Sequence, residues 1–358
     1  MKRYLLCRAL GGFNDQLNQI NFCRKYAEKW DRHLIIDTRV TGLNRNFFSV
    51  FEQVKEAEIP ISDASDFPDD FYNSMEVYPN CLKGAFFNFE HEVLRILIEG
   101  RTINLPVVTV DGVTESLRIS AKTDGTLFPI DNLPDFEEEL VVHQSFGGGP
   151  EGVDALSFFR LRKDLADHII GRLCALPQNL VSVHVRSTDM RGDFETFFKT
   201  LDQHIADEVL LICSDNRSVV ESAKESFTSN KVMSVSDVPD IKGRALHYRK
   251  DYIGSDASMR DLFLDLLALA SAPQLCMPIV HYKSEKPMLS GFSILADVLR
   301  TLPELQMQLL SAADQNLLEQ FSSHGPLAVP RSTEIMDKLA LKDARYEKLL
   351  RYRKYACR

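Results

Sequence analysis

The chain has 358 residues, of which 44% are hydrophobic and 26% charged, and its formal net charge is −9. That length suggests two domains, and the balance is that of a globular protein with enough apolar residues for a sizeable core. The acidic excess sets up no bulk field for nucleic acid or an anionic membrane, so no nucleic-acid partner is expected. No stretch approaches the roughly 20 apolar residues of a membrane span. Seven cysteines lie scattered, with no CxxC pair and no metal-ligand spacing. Cys7, Cys174, Cys213 and Cys276 fall in apolar patterns and read as reduced core thiols, which favours a reducing, cytoplasmic setting. The start, MKRYLLCRAL, has an apolar run too short for a signal segment and leads into GGFND rather than a cleavage site.

Arg3–Ala9 reads as a strand, Gln16–Trp30 as a helix with Leu17, Ile20 and Cys23 on one face, and His33–Asp37 as a second strand. This is a βαβ unit, the opening of a parallel, helix-covered sheet. Between its first two elements lies Gly11-Gly12-Phe13-Asn14-Asp15. Paired glycines let the backbone bend sharply or pass close to a ligand, and Asn14 or Asp15 suits a helix cap. The spacing is not that of the dinucleotide fingerprint GxGxxG. Residues 44–135 are Phe-rich, acidic and turn-rich, with a strand expected at Pro106–Val110; they read as an elaboration of the first domain. Leu140–His143 is a strand that runs into Gln144-Ser145-Phe146-Gly147-Gly148-Gly149-Pro150. These glycines suggest either close backbone approach to a ligand or a plain flexible connection. A Lys-Ser/Thr pair does not follow them, so this is not a Walker loop.

A change of character near Gly152–Arg160 marks a domain boundary, and a helix is expected over Phe158–Leu173. Strand and helix then alternate: Val181–Val185, Phe194–His204, Glu208–Ser214, Arg217–Phe227, Lys231–Val235, a polar loop with His247 and Tyr248, Met259–Ala270, Gln274–Val280 and Ile294–Leu299. The pattern is a second Rossmann-like sandwich. The expected architecture is therefore α/β, two Rossmann-like domains facing across a cleft, with boundaries at 1–155 and 156–300 and a helical tail over 301–358. In the tail, Lys338–Arg358 carries Arg345, Lys348, Arg351, Arg353 and Lys354 around Tyr346, Leu349, Leu350 and Tyr352. A continuous basic amphipathic helix there would either lie peripherally on a membrane or pack on the acidic body.

The stretch VSVHVRSTD carries the chemistry. Val181, Val183 and Val185 are β-branched and alternate with Ser182 and His184, a buried-strand pattern, and polarity then flips at Arg186. Ligands of open α/β sheets bind beyond the carboxyl ends of the strands. A guanidinium there can make two parallel charge-assisted hydrogen bonds to a diphosphate; alternatively Arg186 and Asp189 merely pair with each other. Ser290-Gly291-Phe292-Ser293 opens a helix, where backbone N–H groups converge and the serines can cap, or bind phosphate. Asp265 sits within an apolar helix, where a carboxylate is costly unless paired or facing a ligand such as a purine base with N–H donors on one edge. Asp215 ends a strand and suits capping of the next helix, or contact with a ribose hydroxyl. The chain has no Asp-x-Asp, HExxH or GxSxG motif, so a diphosphate leaving group would be stabilised by arginine, hydroxyls and a helix terminus, with no metal or other cofactor expected.

In their order and spacing, the GGFND turn, the HVR stretch, the ICSD strand end, the helix with Asp265 and the SGFS turn resemble the fucosyltransferase superfamily. It includes protein O-fucosyltransferases, α1,6-fucosyltransferases and nodulation fucosyltransferases. The resemblance covers roughly residues 3–37 and 156–300. It implies a GT-B-type, inverting and metal-independent transfer of fucose from GDP-fucose to an acceptor hydroxyl. It assigns Arg186 to the β-phosphate, His184 to the guanosine, Asp265 to guanine, and Ser290, Phe292 and Ser293 to the phosphates. The early turn, with Gly12, Phe13, Asn14 and Asp15, faces donor and acceptor, and Asn14 and Asp15 are the candidates there for a catalytic role. Asp189 and Asp215 stand near the same site, and Asp15 or Asp189 is the candidate to take the acceptor proton. The acceptor is left open among glycan, glycolipid and peptide. A nucleotide- or sugar-binding protein without turnover, and a GT-B enzyme using another nucleotide sugar, are the alternatives.

Overall fold

The computed structural model describes residues 2–39, 43–84, 91–98, 101–110, 113–116, 130–145, 147–227, 231–237, 252–281 and 286–356. The chain divides into two units, Met1–Phe158 and Phe159–Arg358.

In the first unit, YLLCRA forms β1 (Tyr4–Ala9), FNDQLNQINFCRKYAEK forms α1 (Phe13–Lys29) and HLII forms β2 (His33–Ile36). Further strands follow at β3 (Ile61–Asp63), β4 (Val77–Tyr78) and, after a three-stranded antiparallel sheet of β5 (His91–Ile98), β6 (Arg101–Val110) and β7 (Val113–Ser116), at β8 (Leu140–Ser145). The main sheet has the order β3-β2-β1-β8-β4 and is parallel throughout. A parallel sheet has both faces covered, which explains why β1, β2 and β8 are almost wholly buried. Tyr4, Leu6, Ile35, Leu140 and Val142 pack on one face with Ala64, Tyr72, Val77 and Leu82. On the other face Cys7 meets Cys23 of α1. A short helix, α2 (Gly152–Leu156), ends the unit against α1.

The second unit contains α3 (Lys163–Leu173), β9 (Leu180–Val185), α4 (Phe194–Asp202), β10 (Val209–Ser214), α5 (Arg217–Ser226), β11 (Val232–Met233), α6 (Asp256–Ser271), β12 (Gln274–Cys276) and α7 (Gly291–Arg300). Its sheet runs β11-β10-β9-β12, again all parallel, so β9 sits inside it with its LVSVHV run fully buried. His247 and Tyr248 lie outside the described residues.

Three elements differ from the sequence reading. The helix expected from Phe158 begins only at Lys163, because Phe159–Leu161 is extended, with Phe159 and Leu161 buried and Arg160 less so, a period of two. The strand expected over Gln274–Val280 stops at Cys276, and Val280–His281 belongs to a separate antiparallel hairpin with Pro287–Met288.

The basic helix expected over Lys338–Arg358 is broken. After α8 (Pro303–Leu309) and α9 (Gln315–His324), α10 (Glu334–Lys342) stops at Asp343, and the chain continues as the short α11 (Arg345–Leu349), a 3₁₀ turn and α12 (Arg353–Ala356). Asp343 is extended and accepts hydrogen bonds from the backbone N–H and guanidinium of Arg345, a local bond that competes with the helix. The aromatic side of this tail packs inward, not outward: the Tyr346 hydroxyl donates to the Met277 carbonyl at 2.8 Å and that of Tyr352 to Asp297 at 2.7 Å. Among the described residues no helix is long and apolar enough to cross a membrane.

Candidate functional site

Burial of β9 carries the chain up to Val185, and the first residue past it, Arg186, stands at the carboxyl end of the sheet. Its Nε and Nη2 donate to the two oxygens of Asp189 at 2.7 and 2.8 Å, and Asp215 lies 3.7 Å from Nε. The pairing weighed from sequence therefore exists. It leaves the Arg186 side chain with 26% of its surface exposed.

The cap assignment of Asp215 is corrected. Asn216 is the N-cap of α5, accepting from the Ser218 N–H at 3.1 Å. Asp215 instead accepts from the Ser187 N–H at 2.8 Å and from the Thr188 hydroxyl. It stitches the RSTD segment to the end of β10. Ser187 and Thr188 belong to the polar cluster of the VSVHVRSTD stretch, but the sequence pattern assigned neither of them a partner.

His184 is 7% exposed. Its Nδ1 lies 2.8 Å from the Ser293 hydroxyl, and its ring centroid is 5.0 Å from that of Phe292. Burial, helped by the charge of Arg186, pushes the imidazole down to about 3, so it is neutral. Ser290 occupies the N-cap position of α7 and is buried, but its hydroxyl makes no cap bond. The SGFS turn thus divides its labour: Phe292 and Ser293 hold His184, while Ser290 marks the helix start.

Asp265 projects from α6 toward β10. Its Oδ1 is buried without a hydrogen-bond partner. Burial lifts the carboxyl to about 7; the charge of Asp261 adds to this, against the Ser236 hydroxyl and the Cys213 thiol. Asp261 is itself held by the Tyr252 hydroxyl at 2.6 Å. Cys213 pairs with His184 in the sheet register. The carboxyl, the imidazole and the first turn of α7 therefore gather at one end of β9 and β10. An unpartnered buried acceptor is what a ligand with N–H donors would satisfy.

The first unit holds the remaining candidates. Gly12 is the N-cap of α1, and Asp15 Oδ2 accepts its N–H at 3.0 Å, so Asp15 acts from inside the helix and neither it nor Asn14 occupies the cap position itself. Phe13 and Asn14 are buried. The Asn14 amide donates to the Gly149 carbonyl at 3.1 Å, Asn18 donates to the same carbonyl at 3.0 Å, and Gln19 donates to Gly147 at 3.0 Å. A side-chain carbon at Gly148 would come within 2.8 Å of Asp15 and one at Gly152 within 2.7 Å of Asn14. The close approach that the glycines permit is thus made to the first turns of α1. Asp15 is half-buried at the carboxyl end of β1.

Two parallel sheets covered by helices, each ending in a cluster of polar side chains, define an α/β chain of GT-B type. Among solved structures with a similar fold is that of a fucosyltransferase: the crystal structure of NodZ from Bradyrhizobium is similar over 84% of this chain and 94% of its own, with a TM-score of 0.52 and 16% sequence identity. Structures of NodZ α1,6-fucosyltransferase soaked with GDP-fucose and co-crystallised with GDP are also similar, at TM-scores of 0.49, identities of 16% and 17%, 84% of this chain in both cases, and 92% and 93% of theirs. The sequence matches no family model, and no curated protein matches it. At this identity the likeness is one of fold.

Proposed function

We propose that this chain is an inverting glycosyltransferase, independent of metal, that transfers fucose from GDP-fucose to an acceptor hydroxyl. The observation that carries the reading is Arg186, a partly exposed guanidinium at the carboxyl end of an internal strand, in a fold shared with a fucosyltransferase. In the reaction the bond between the sugar's anomeric carbon and the diphosphate breaks while a bond to the acceptor oxygen forms. Negative charge grows on the diphosphate, and Arg186, oriented by Asp189, opposes it. Neutral His184 lies beside the nucleoside. The unpartnered oxygen of Asp265 accepts from the N–H edge of guanine. A carboxylate, Asp15 or Asp189, is the candidate base for the acceptor's proton.

The first test is a thermal-shift screen with GDP, UDP, ADP and CMP, because a ligand that binds only the native state raises its apparent stability. GDP is expected to give the largest shift, and a larger one with another nucleotide replaces the donor. The second is turnover of GDP-fucose by Arg186→Ala. A charge-assisted hydrogen bond contributes about 1.5–3 kcal/mol, so the variant should lose about tenfold to a few hundredfold. A folded Arg186→Ala protein with undiminished turnover removes the proposal. GDP binding without transfer to any glycan, glycolipid or peptide acceptor leaves a binding protein.

A further inference from the structure

Ser293 has so far been assigned to phosphate, yet the residue is 1% exposed and its hydroxyl lies 2.8 Å from His184 Nδ1. A hydroxyl carries one proton, and a buried one must place it on an acceptor. Among the described residues the hydrogen-bond partner of Ser293 Oγ is His184 Nδ1, which is therefore the acceptor at hand. A nitrogen that accepts is unprotonated. In a neutral imidazole the proton then resides on Nε2.

We infer that Ser293 is a positioning residue: by donating to Nδ1 it fixes His184 as the Nε2–H tautomer and presents that N–H as a hydrogen-bond donor to an oxygen of the nucleotide. This rests on the donor-binding reading above. Three observations support it. Burial and the neighbouring Arg186 charge keep the ring neutral, so the choice lies between two tautomers and not between neutral and charged forms. Phe292, 5.0 Å away between centroids, limits rotation of the ring. Val185 is the one residue between His184 and Arg186, so the N–H and the guanidinium arise at the same strand end.

A donor in the wrong tautomer becomes an acceptor, and against an anionic oxygen the contact turns from attractive to unfavourable. Ser293 would thereby set affinity for the nucleotide without touching it. A serine that itself bound phosphate would behave differently, and the two roles separate experimentally.

The first measurement is the side-chain nitrogen spectrum of histidine-labelled protein, with the His184 signal assigned from its absence in His184→Gln. The expected result is the Nε2–H tautomer in the wild type and loss of that fixed tautomer in Ser293→Ala. A wild-type ring in the Nδ1–H form, or an Ala variant with an unchanged spectrum, overturns the inference. This arm needs no ligand, so it stands apart from the fate of the proposed function. The second is calorimetric titration with GDP. Ser293→Ala should weaken binding about tenfold, Ser293→Thr should restore it, and in a His184→Gln background the serine change should add nothing. Additive losses would place Ser293 directly on the ligand and overturn its role through His184. Absence of GDP binding in the wild type would instead sink the proposed function, leaving the spectrum to decide the tautomer.

Discussion

On the proposed donor-binding reading, Asp265 links folding to proton uptake and ligand binding to proton release. Its carboxyl is raised from 3.8 to about 7, chiefly by burial. Between those values the folded chain binds more protons at this residue than the unfolded chain does. Its contribution to stability is therefore present at low pH and is lost as pH rises through that window. In the proposed complex, however, the ionised form is the one that would accept from guanine N–H donors. Affinity for GDP should accordingly rise as pH passes through about 7 while the stability of the unliganded chain falls. Urea unfolding and GDP titration across pH 5–9 check both slopes. Asp265→Asn should flatten the first and abolish the second; a variant whose unfolding midpoint follows the wild-type pH curve would show that another group titrates.

At the scale of elements, the glycines after β8 are spacers for α1. Gly152→Ala forces a carbon within 2.7 Å of the buried Asn14 side chain and 2.8 Å of the buried Asn18 side chain. The cost should be about 1–3 kcal/mol, visible as a lower melting temperature with secondary structure retained. Gly171→Ala, in α3 with nothing within 4 Å, is the contrasting case and should gain up to about 1 kcal/mol from helix propensity. Equal effects at the two sites would mean that packing against α1 is not what the glycine serves. These elements also show what a sequence discloses. The strands β1, β2, β8, β9 and β10 were legible because buried parallel strands are written as apolar runs with a polar end. Within 44–135, β3 and β4 span only three and two residues, too short for any period, and they exist through pairing with β2 and β8. Arg186 and Asp265 stood out because each breaks an apolar pattern. That Asn216 and not Asp215 caps α5 was not legible, because both residue types cap helices equally well. The direction of the Ser293 hydroxyl was invisible, since its partner lies 109 positions away.

On the scale of the whole chain, the end of the tail is held by the Tyr346–Met277 bond and by a buried acid that gathers its last side chains. Asp297, 2% exposed, receives Tyr352 at 2.7 Å, Arg353 at 2.7 and 3.1 Å, and Arg300 at 3.3 Å. It stands on α7, the helix whose first turn holds His184. Removal of residues 345–358 leaves that carboxylate to Arg300 alone. Breaking a buried charge network in this way costs about 3–5 kcal/mol, so the truncated chain should unfold at clearly lower urea concentration. An unchanged midpoint would show the tail to be an ornament. Lys348 and Arg351 are both exposed and both precede Tyr352. A trypsin-like protease that clips after either would shed Tyr352 and Arg353 while trimming the chain by ten or seven residues. A preparation so nicked would pass for intact by size and yet melt early, so mass measurement should precede any comparison of variants.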